Sequence, residues 1–241
     1  MSIAAQRLGQ RTFGTGGSEP YAQALKQAAP AALVLHERRD GALIGRVTMD
    51  VARWNTRADA TDLGLLAAVT GPVLDIGCGP GRMVRAASEM GLAVLGIDVS
   101  PAALDIAHAA GLSVLERSIF DRLPGEGTWQ TTLLVDGNIG IGGDVTALLK
   151  RCRDLLAPDG EIVVEVHADA QRDHTYTGCL VDSDGGESDS FPWAEIGLDS
   201  IVARAETLGL ELRQWWVVES TAASSATSGS RTFCRLARTR R

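Results

Sequence analysis

Asp75, Asp98 and Asp136 each sit at or near the end of an apolar run, and three glycines follow the first of them. Acids at strand ends beside a glycine-rich turn can accept hydrogen bonds from a ligand bound at the edge of the sheet. Val73, Leu74 and Ile76 surround Asp75, and Gly77, Gly79 and Gly81 come next at alternate positions. A short apolar run of this kind reads as a buried parallel strand. Glycines at that spacing allow a tight turn and a close approach of a ligand to the backbone. Met83 to Met90 read as a helix, so the loop feeds a helix N-terminus, which favours negative charge. About one helix and one strand later, Gly91 to Val99 form a second apolar run that contains Asp98. A carboxylate there can accept hydrogen bonds from two ribose hydroxyls. The other reading of Asp98 is a loop acid or a cap for the helix that Ser100 and Pro101 begin.

The glycine spacing excludes two nucleotide sites. A dinucleotide fingerprint needs glycine at the sixth place of G-x-G-x-x-G. Counted from Gly77 that place is Arg82, and counted from Gly79 it is Val84. A phosphate-cradling loop would need Gly-Lys-Ser or Gly-Lys-Thr, which does not occur. What remains is D-x-G-x-G-x-G, from Asp75 to Gly81. This pattern resembles motif I of the class I S-adenosylmethionine-dependent methyltransferases. The resemblance implies S-adenosylmethionine as cofactor, with the loop of Gly77, Cys78, Gly79 and Gly81 along its methionine part. It implies that Asp75 helps hold the cationic amino end and that Asp98, with Val99, lies at the ribose. Many members place an acid after the third strand to bind the adenine amino group. Here Ser118, Ile119 and Phe120 stand in that place, with Asp121 behind them. The resemblance then implies a backbone hydrogen bond and an apolar wall for the adenine, with Asp121 as the fallback.

Leu134 and Val135 lead to Asp136, Gly137 and Asn138, in a loop with further glycines at 140, 142 and 143. Ligands of doubly wound sheets bind outside the carboxyl ends of the strands. In the resembling family this loop passes beside the reactive methyl group. Asp136 and Asn138 are therefore expected at the reacting groups, and Asp136 and Gly137 also at the cofactor. The alternative is that Asp136 merely ends a strand and Asn138 suits a turn. Displacement at a sulfonium methyl depends mainly on in-line positioning. A hydroxyl acceptor of high pKa also needs a base, most often histidine. His167, at the end of the run Gly160 to Val166, is expected in that role, an exposed loop histidine being the alternative. Arg53, Trp54 and Arg57 precede the core and could reach the cofactor, or could be packing and solvated residues. The loop at Asp136 lacks the N-P-P-Y of amino-methylating enzymes that act on bases and glutamine. No Pro-Cys nucleophile occurs, and no Asp-Asn pair follows the fifth strand, so no metal is expected.

The rest of the chain must position these groups. Its 241 residues suit one domain with additions, and 45% hydrophobic with 22% charged residues is ordinary for a globular protein. A net charge of −7 argues against an extended nucleic-acid surface. Cys78, Cys152, Cys179 and Cys234 are scattered with no disulfide framework, which suggests a reducing, cytoplasmic setting. No signal pattern or membrane-length apolar run is seen. Residues 1–58 read as an N-terminal arm and cap, part of one domain with a core at 59–241. Within the cap, a helix is expected at 18–27, a hairpin around Asp40-Gly41 and a short helix at 48–55. The segment 167–192 reads as a loop with a solvated acidic run, followed by a helix from Ala194 to Leu208. Strands at 210–219 and 231–237 would form a closing hairpin. The expected fold is a three-layer α/β/α Rossmann-like methyltransferase core with an N-terminal cap. Its seven-stranded sheet would be mostly parallel, with an antiparallel C-terminal strand. The expected activity is direct displacement of the cofactor methyl group by an oxygen or nitrogen of a small-molecule acceptor. An RNA or protein methyltransferase and a non-catalytic cofactor-binding protein are the alternatives.

Overall fold

The computed structural model describes residues 13, 20–26, 33–219 and 230–239. Helix α1 (Pro20–Lys26), strands β1 (Leu33–Arg39) and β2 (Ala42–Met49), and helix α2 (Val51–Trp54) come first. Helix α3 (Ala60–Ala67) enters the core; Asp59 and Asp62 form a reciprocal capping box at its start. Then follow β3 (Val73–Ile76), α4 (Arg82–Glu89), β4 (Val94–Asp98), α5 (Pro101–Ala109) and β5 (Val114–Glu116). The side chain of Ser100 caps α5 and Pro101 occupies its first turn, as the sequence suggests. Next come β6 (Trp129–Leu134), a 3-10 turn (Asn138–Gly140), α6 (Val145–Leu155) and β7 (Leu156–Val166). Strands β8 (Asp173–Val181) and β9 (Phe191–Ile196), helix α7 (Leu198–Thr207), and strands β10 (Leu210–Val218) and β11 (Arg231–Arg238) complete the chain.

The main sheet has seven strands in the order β10-β11-β7-β6-β3-β4-β5. From β7 to β5 the pairs are parallel, whereas β11 runs antiparallel to both β7 and β10. Its apolar centre includes Leu74, Ile76, Leu134, Leu148, Val164 and Ile201, all but free of solvent. This is the expected Rossmann-like core with its closing hairpin. The strand order turns back at β3, so the carboxyl ends of β3, β4 and β6 open onto one crevice. Among the described residues no helix is long and apolar enough to cross a membrane.

A second sheet, in the order β2-β1-β8-β9, is antiparallel throughout. It corrects two expectations. The segment 167–192 contains strand β8 and the start of β9, and the helix expected from Ala194 begins only at Leu198. Thr175, Tyr176 and Thr177 are good strand formers. Pro192 obscures the next strand, yet β9 is an edge strand, where a proline is tolerated. The acidic run folds as the turn between β8 and β9: Asp182 Oδ1 accepts from the backbone N–H groups of Asp184 and Gly186 at 3.0 and 2.7 Å. The expected N-terminal hairpin is present, with Asp40 and Gly41 at its turn, both at positive φ. A lone hairpin is only marginally stable in water, and β8 and β9 supply the partners it needs. The cap is thus built from two distant pieces of chain. Its core of Leu25, Leu33, Leu35, Tyr176, Leu180 and Phe191 rests on Ala103 of α5.

Candidate active site

The crevice is a cavity of about 1030 Å³, its open mouth included, between the ends of β3, β4 and β6 and the cap. Its floor is the glycine loop. Gly77 has φ +71°, and a Cβ there would lie 2.8 Å from the Asn138 side chain, so only glycine fits. The Asn138 amide Nδ2 fills that space and donates to the carbonyl oxygens of Ile76 at 2.8 Å and Gly77 at 3.0 Å. The loop after β6 therefore braces the loop after β3.

Asp98 lies beside the same loop. Its Oδ2 accepts from the Gly79 N–H at 2.8 Å and its Oδ1 from the Ser100 N–H at 2.8 Å. Burial raises its pKa, and the N–H groups of Ser100, Gly79 and Val99 act against that rise. Each oxygen keeps accepting capacity toward the cavity it lines.

Asp75 is the opposite case. It is 2% exposed, and its Oδ2 has no hydrogen-bond partner. Burial, then the charges of Asp136 and Asp98, push its pKa up to about 8. A buried carboxylate without a partner is costly unless a proton or a cationic ligand meets it. Asp75 lines the cavity, so a ligand entering there can bring that cation.

Behind the floor lies an ion network. Arg82 contacts Asp62 and Asp136 together. Arg53, from the cap, reaches Asp62 at 2.9 Å and Asp136 at 3.1 Å. Arg231 reaches both Glu165 oxygens at 2.8 Å. Glu165 accepts in turn from the Asp136 N–H at 2.7 Å. This network holds Asp136 at φ +55°, a left-handed conformation that is uncommon for a non-glycine residue. The opposite wall is apolar and belongs mostly to the cap: Phe13, Tyr21, Met49, Trp54, Pro192 and Trp193.

Residues 73–160 match the family model described as a methyltransferase domain. Those residues of the chain carry a methyltransferase domain. Solved structures share its fold. One is a methyltransferase from Bacteroides fragilis in complex with S-adenosylhomocysteine, 20% identical, with a TM-score of 0.73 over 95% of this chain and 98% of that one. Another is the 1,6-didemethyltoxoflavin-N1-methyltransferase of Burkholderia thailandensis, 18% identical, with a TM-score of 0.54 over 75% of this chain and 78% of that one. A third is the CcbJ methyltransferase of Streptomyces caelestis, 16% identical, with a TM-score of 0.57 over 78% of this chain and 92% of that one. No curated protein sequence matches the chain.

The cavity gathers most of the residues singled out from the sequence. Asp75, Gly77, Cys78, Gly79, Asp98, Val99, Ser118, Ile119, Phe120, Asp136 and Asn138 all line it. Gly81 stands one step behind, as the N-cap of α4 at φ +90°, where a Cβ would run into Leu112. Cys78 has a thiol whose pKa burial drives upward, followed by the Asp75 and Asp98 charges, so it stays protonated. Asp121 accepts from the Ser118 N–H at 3.1 Å and closes that turn, outside the cavity lining.

Three residues stand differently from expectation. His167 is exposed and does not line the cavity. Its Nδ1 accepts from the Asp169 N–H at 3.0 Å, and its backbone bridges to Gly197, just past β9. The inserted hairpin runs alongside that strand end. Gly137 is exposed at φ +84° and turns the chain without lining the cavity. Asp136 lines it with its carboxylate committed to arginines. Of the three residues ahead of the core, Trp54 lines the cavity, Arg53 joins the ion network, and Arg57 pairs at the surface with Glu89 at 3.5 Å. The sequence reading missed Phe13, Tyr21, Met49, Pro192 and Trp193. The alternating pair Phe191 and Trp193, both buried in one strand, was the available signal.

Proposed function

We propose that the protein binds S-adenosylmethionine in this cavity and transfers its methyl group by direct displacement to an oxygen or nitrogen of a small-molecule acceptor. The partnerless Asp75 carboxylate oxygen carries the reading: it calls for a cation at the place where the resembling family puts the cofactor's ammonium. Asp98 would take the ribose hydroxyls, and Ser118, Ile119 and Phe120 would line the adenine. When bound, the cofactor supplies a sulfonium methyl group that is already a strong electrophile. The chain's own residues then have to orient, enclose and exclude water. Asn138 acts as a positioning residue, through the two loop carbonyls it holds. Arg82 and Arg53 fix the Asp136 turn that forms the adjoining wall.

A small acceptor is supported by the cap, which roofs the cavity with side chains from two segments of chain. The net charge of −7 speaks against a nucleic-acid substrate. Neighbours in fold include an enzyme named for N1-methylation of 1,6-didemethyltoxoflavin and a magnesium protoporphyrin IX methyltransferase. Calorimetric titration with S-adenosylmethionine, S-adenosylhomocysteine and NAD tests the reading. Saturable binding of both sulfur compounds and none of NAD is expected. Absence of heat from both sulfur compounds on folded protein would overturn it.

A further inference from the structure

We infer that the acceptor is a flat aromatic molecule that brings its own ready nucleophile, either a ring nitrogen or a ring hydroxyl acidic enough to ionise unaided. The inference rests on the methyltransferase reading above and goes beyond it in the acceptor's class.

The cap wall of the cavity suits a flat ring. Aromatic residues make up only 5% of the chain, yet Phe13, Tyr21, Trp54 and Trp193 all line the cap side of this one cavity, apart from the Phe120 assigned to the adenine. Phe13 lies 5.4 Å from Trp193, 5.2 Å from Tyr21 and 6.4 Å from Trp54 between ring centroids. Met49 and Ile141 complete the surface. Rings presented in this way reward a planar π-system beyond simple area burial.

Among the described residues, no histidine or lysine lines the cavity to serve as a base. His36, His108, His167 and His174 are all described, and none lines the cavity. His174 faces Glu37 at 2.8 Å in the cap sheet and stacks on Tyr176. Lys26 and Lys150 also lie elsewhere. The acids lining the cavity are Asp75, Asp98 and Asp136. Asp75 is assigned to the cofactor's cation, Asp98 accepts two backbone N–H groups, and Asp136 is paired with arginines. A phenol such as that of Tyr21 donates rather than takes a proton at neutral pH. Cys78 is held protonated by burial. Glu19 is the one acid outside the described residues.

Chemistry then narrows the acceptor. An alcohol of high pKa needs a base to become nucleophilic, and an aliphatic amine is protonated and has no lone pair to give. An aromatic ring nitrogen keeps its lone pair at neutral pH, and an acidic ring hydroxyl ionises in water. The acceptor lone pair forms the new bond to the methyl carbon as the carbon–sulfur bond breaks and its pair returns to sulfur. A ring nitrogen becomes a methylated cation, and an ionised hydroxyl becomes a neutral ether, so no proton passes to the protein.

The test begins with calorimetric saturation of the protein with S-adenosylhomocysteine, followed by titration with isoquinoline, 2-naphthol and decahydro-2-naphthol. The two aromatic probes are expected to bind about tenfold tighter than the saturated one, the scale of one or two aromatic contacts. Trp193→Leu and Trp54→Leu should each reduce that difference while leaving S-adenosylhomocysteine affinity within about twofold. No heat from S-adenosylhomocysteine defeats the methyltransferase reading and this inference with it. Saturation by S-adenosylhomocysteine without preference for the aromatic probes defeats this inference alone. Where the aromatic probes are methylated, the inflection of rate with pH should follow the probe's own ionisation, that of the hydroxyl for 2-naphthol and of the ring nitrogen for isoquinoline. An inflection at one fixed pH for every probe would reveal a protein base and overturn the inference.

Discussion

The two walls of the cavity are made of different materials. The floor, at the ends of β3, β4 and β6, consists of backbone N–H groups, glycines at positive φ and carboxylates. The roof consists of aromatic and aliphatic side chains from the cap. A floor of backbone and short side chains has few ways to move, and it recognises charge and hydrogen-bonding pattern. A roof of large side chains recognises shape and apolar surface, and it can change without disturbing the floor. This division suits a protein with one invariant ligand and one particular acceptor. Floor variants should then lose the cofactor, whereas roof variants should lose only the acceptor.

The largest expected effect is on the floor. Asp75→Asn keeps the shape and removes the charge, and should weaken S-adenosylhomocysteine binding by about 100-fold, the upper range for a hydrogen bond to a charged group. Calorimetry checks this; an unchanged affinity would erase the contrast between the walls. The same residue governs stability without ligand. Its folded-state pKa of about 8 lies above the ordinary 3.8, so the folded protein holds a proton that the unfolded chain has released. Stability is therefore greatest below the lower value and is lost as pH rises through the upper one. Urea midpoints measured at about pH 5 and about pH 9 should fall further in the wild type than in Asp75→Asn. A parallel fall in both would show that Asp75 is not the cause.

Smaller effects sharpen the same contrast. Asn138→Ala frees the Ile76 and Gly77 carbonyls and removes the brace between two loops. It should weaken S-adenosylhomocysteine binding by roughly tenfold, as loss of one or two hydrogen bonds does. Comparable binding would mean that the glycine loop holds its shape alone. His167→Ala should leave both cofactor binding and turnover within about twofold, as for a surface substitution away from any site. A clear loss of turnover with intact binding would restore His167 as a base.

The floor was legible in the sequence because its geometry is local. Strand, glycine turn and helix follow one another from Val73 to Glu89, and the spacing of Asp75, Gly77, Gly79 and Gly81 is itself the structural constraint. Asp98 was legible for the same reason, one strand further on. The roof was not. Phe13, Met49 and Trp193 become neighbours only when β8 and β9 pair onto the N-terminal hairpin, more than a hundred residues away. No local pattern reports such a pairing. His167 stands away from the cavity for a related reason: it does sit at a strand end, but the chain that follows it occupies that edge. Asn138 was found by position, and its bracing role depends on a contact with Ile76 and Gly77 across two strands.

The most direct measurement of the central claim is proton uptake or release on S-adenosylhomocysteine binding. It is obtained from calorimetry near pH 6.5 in two buffers of different ionisation enthalpy. If the ligand's ammonium meets Asp75, binding must drive off the proton that burial holds there. Net proton release is expected in the wild type and none in Asp75→Asn. Tight binding with no buffer dependence, or with the same dependence in both proteins, would contradict it.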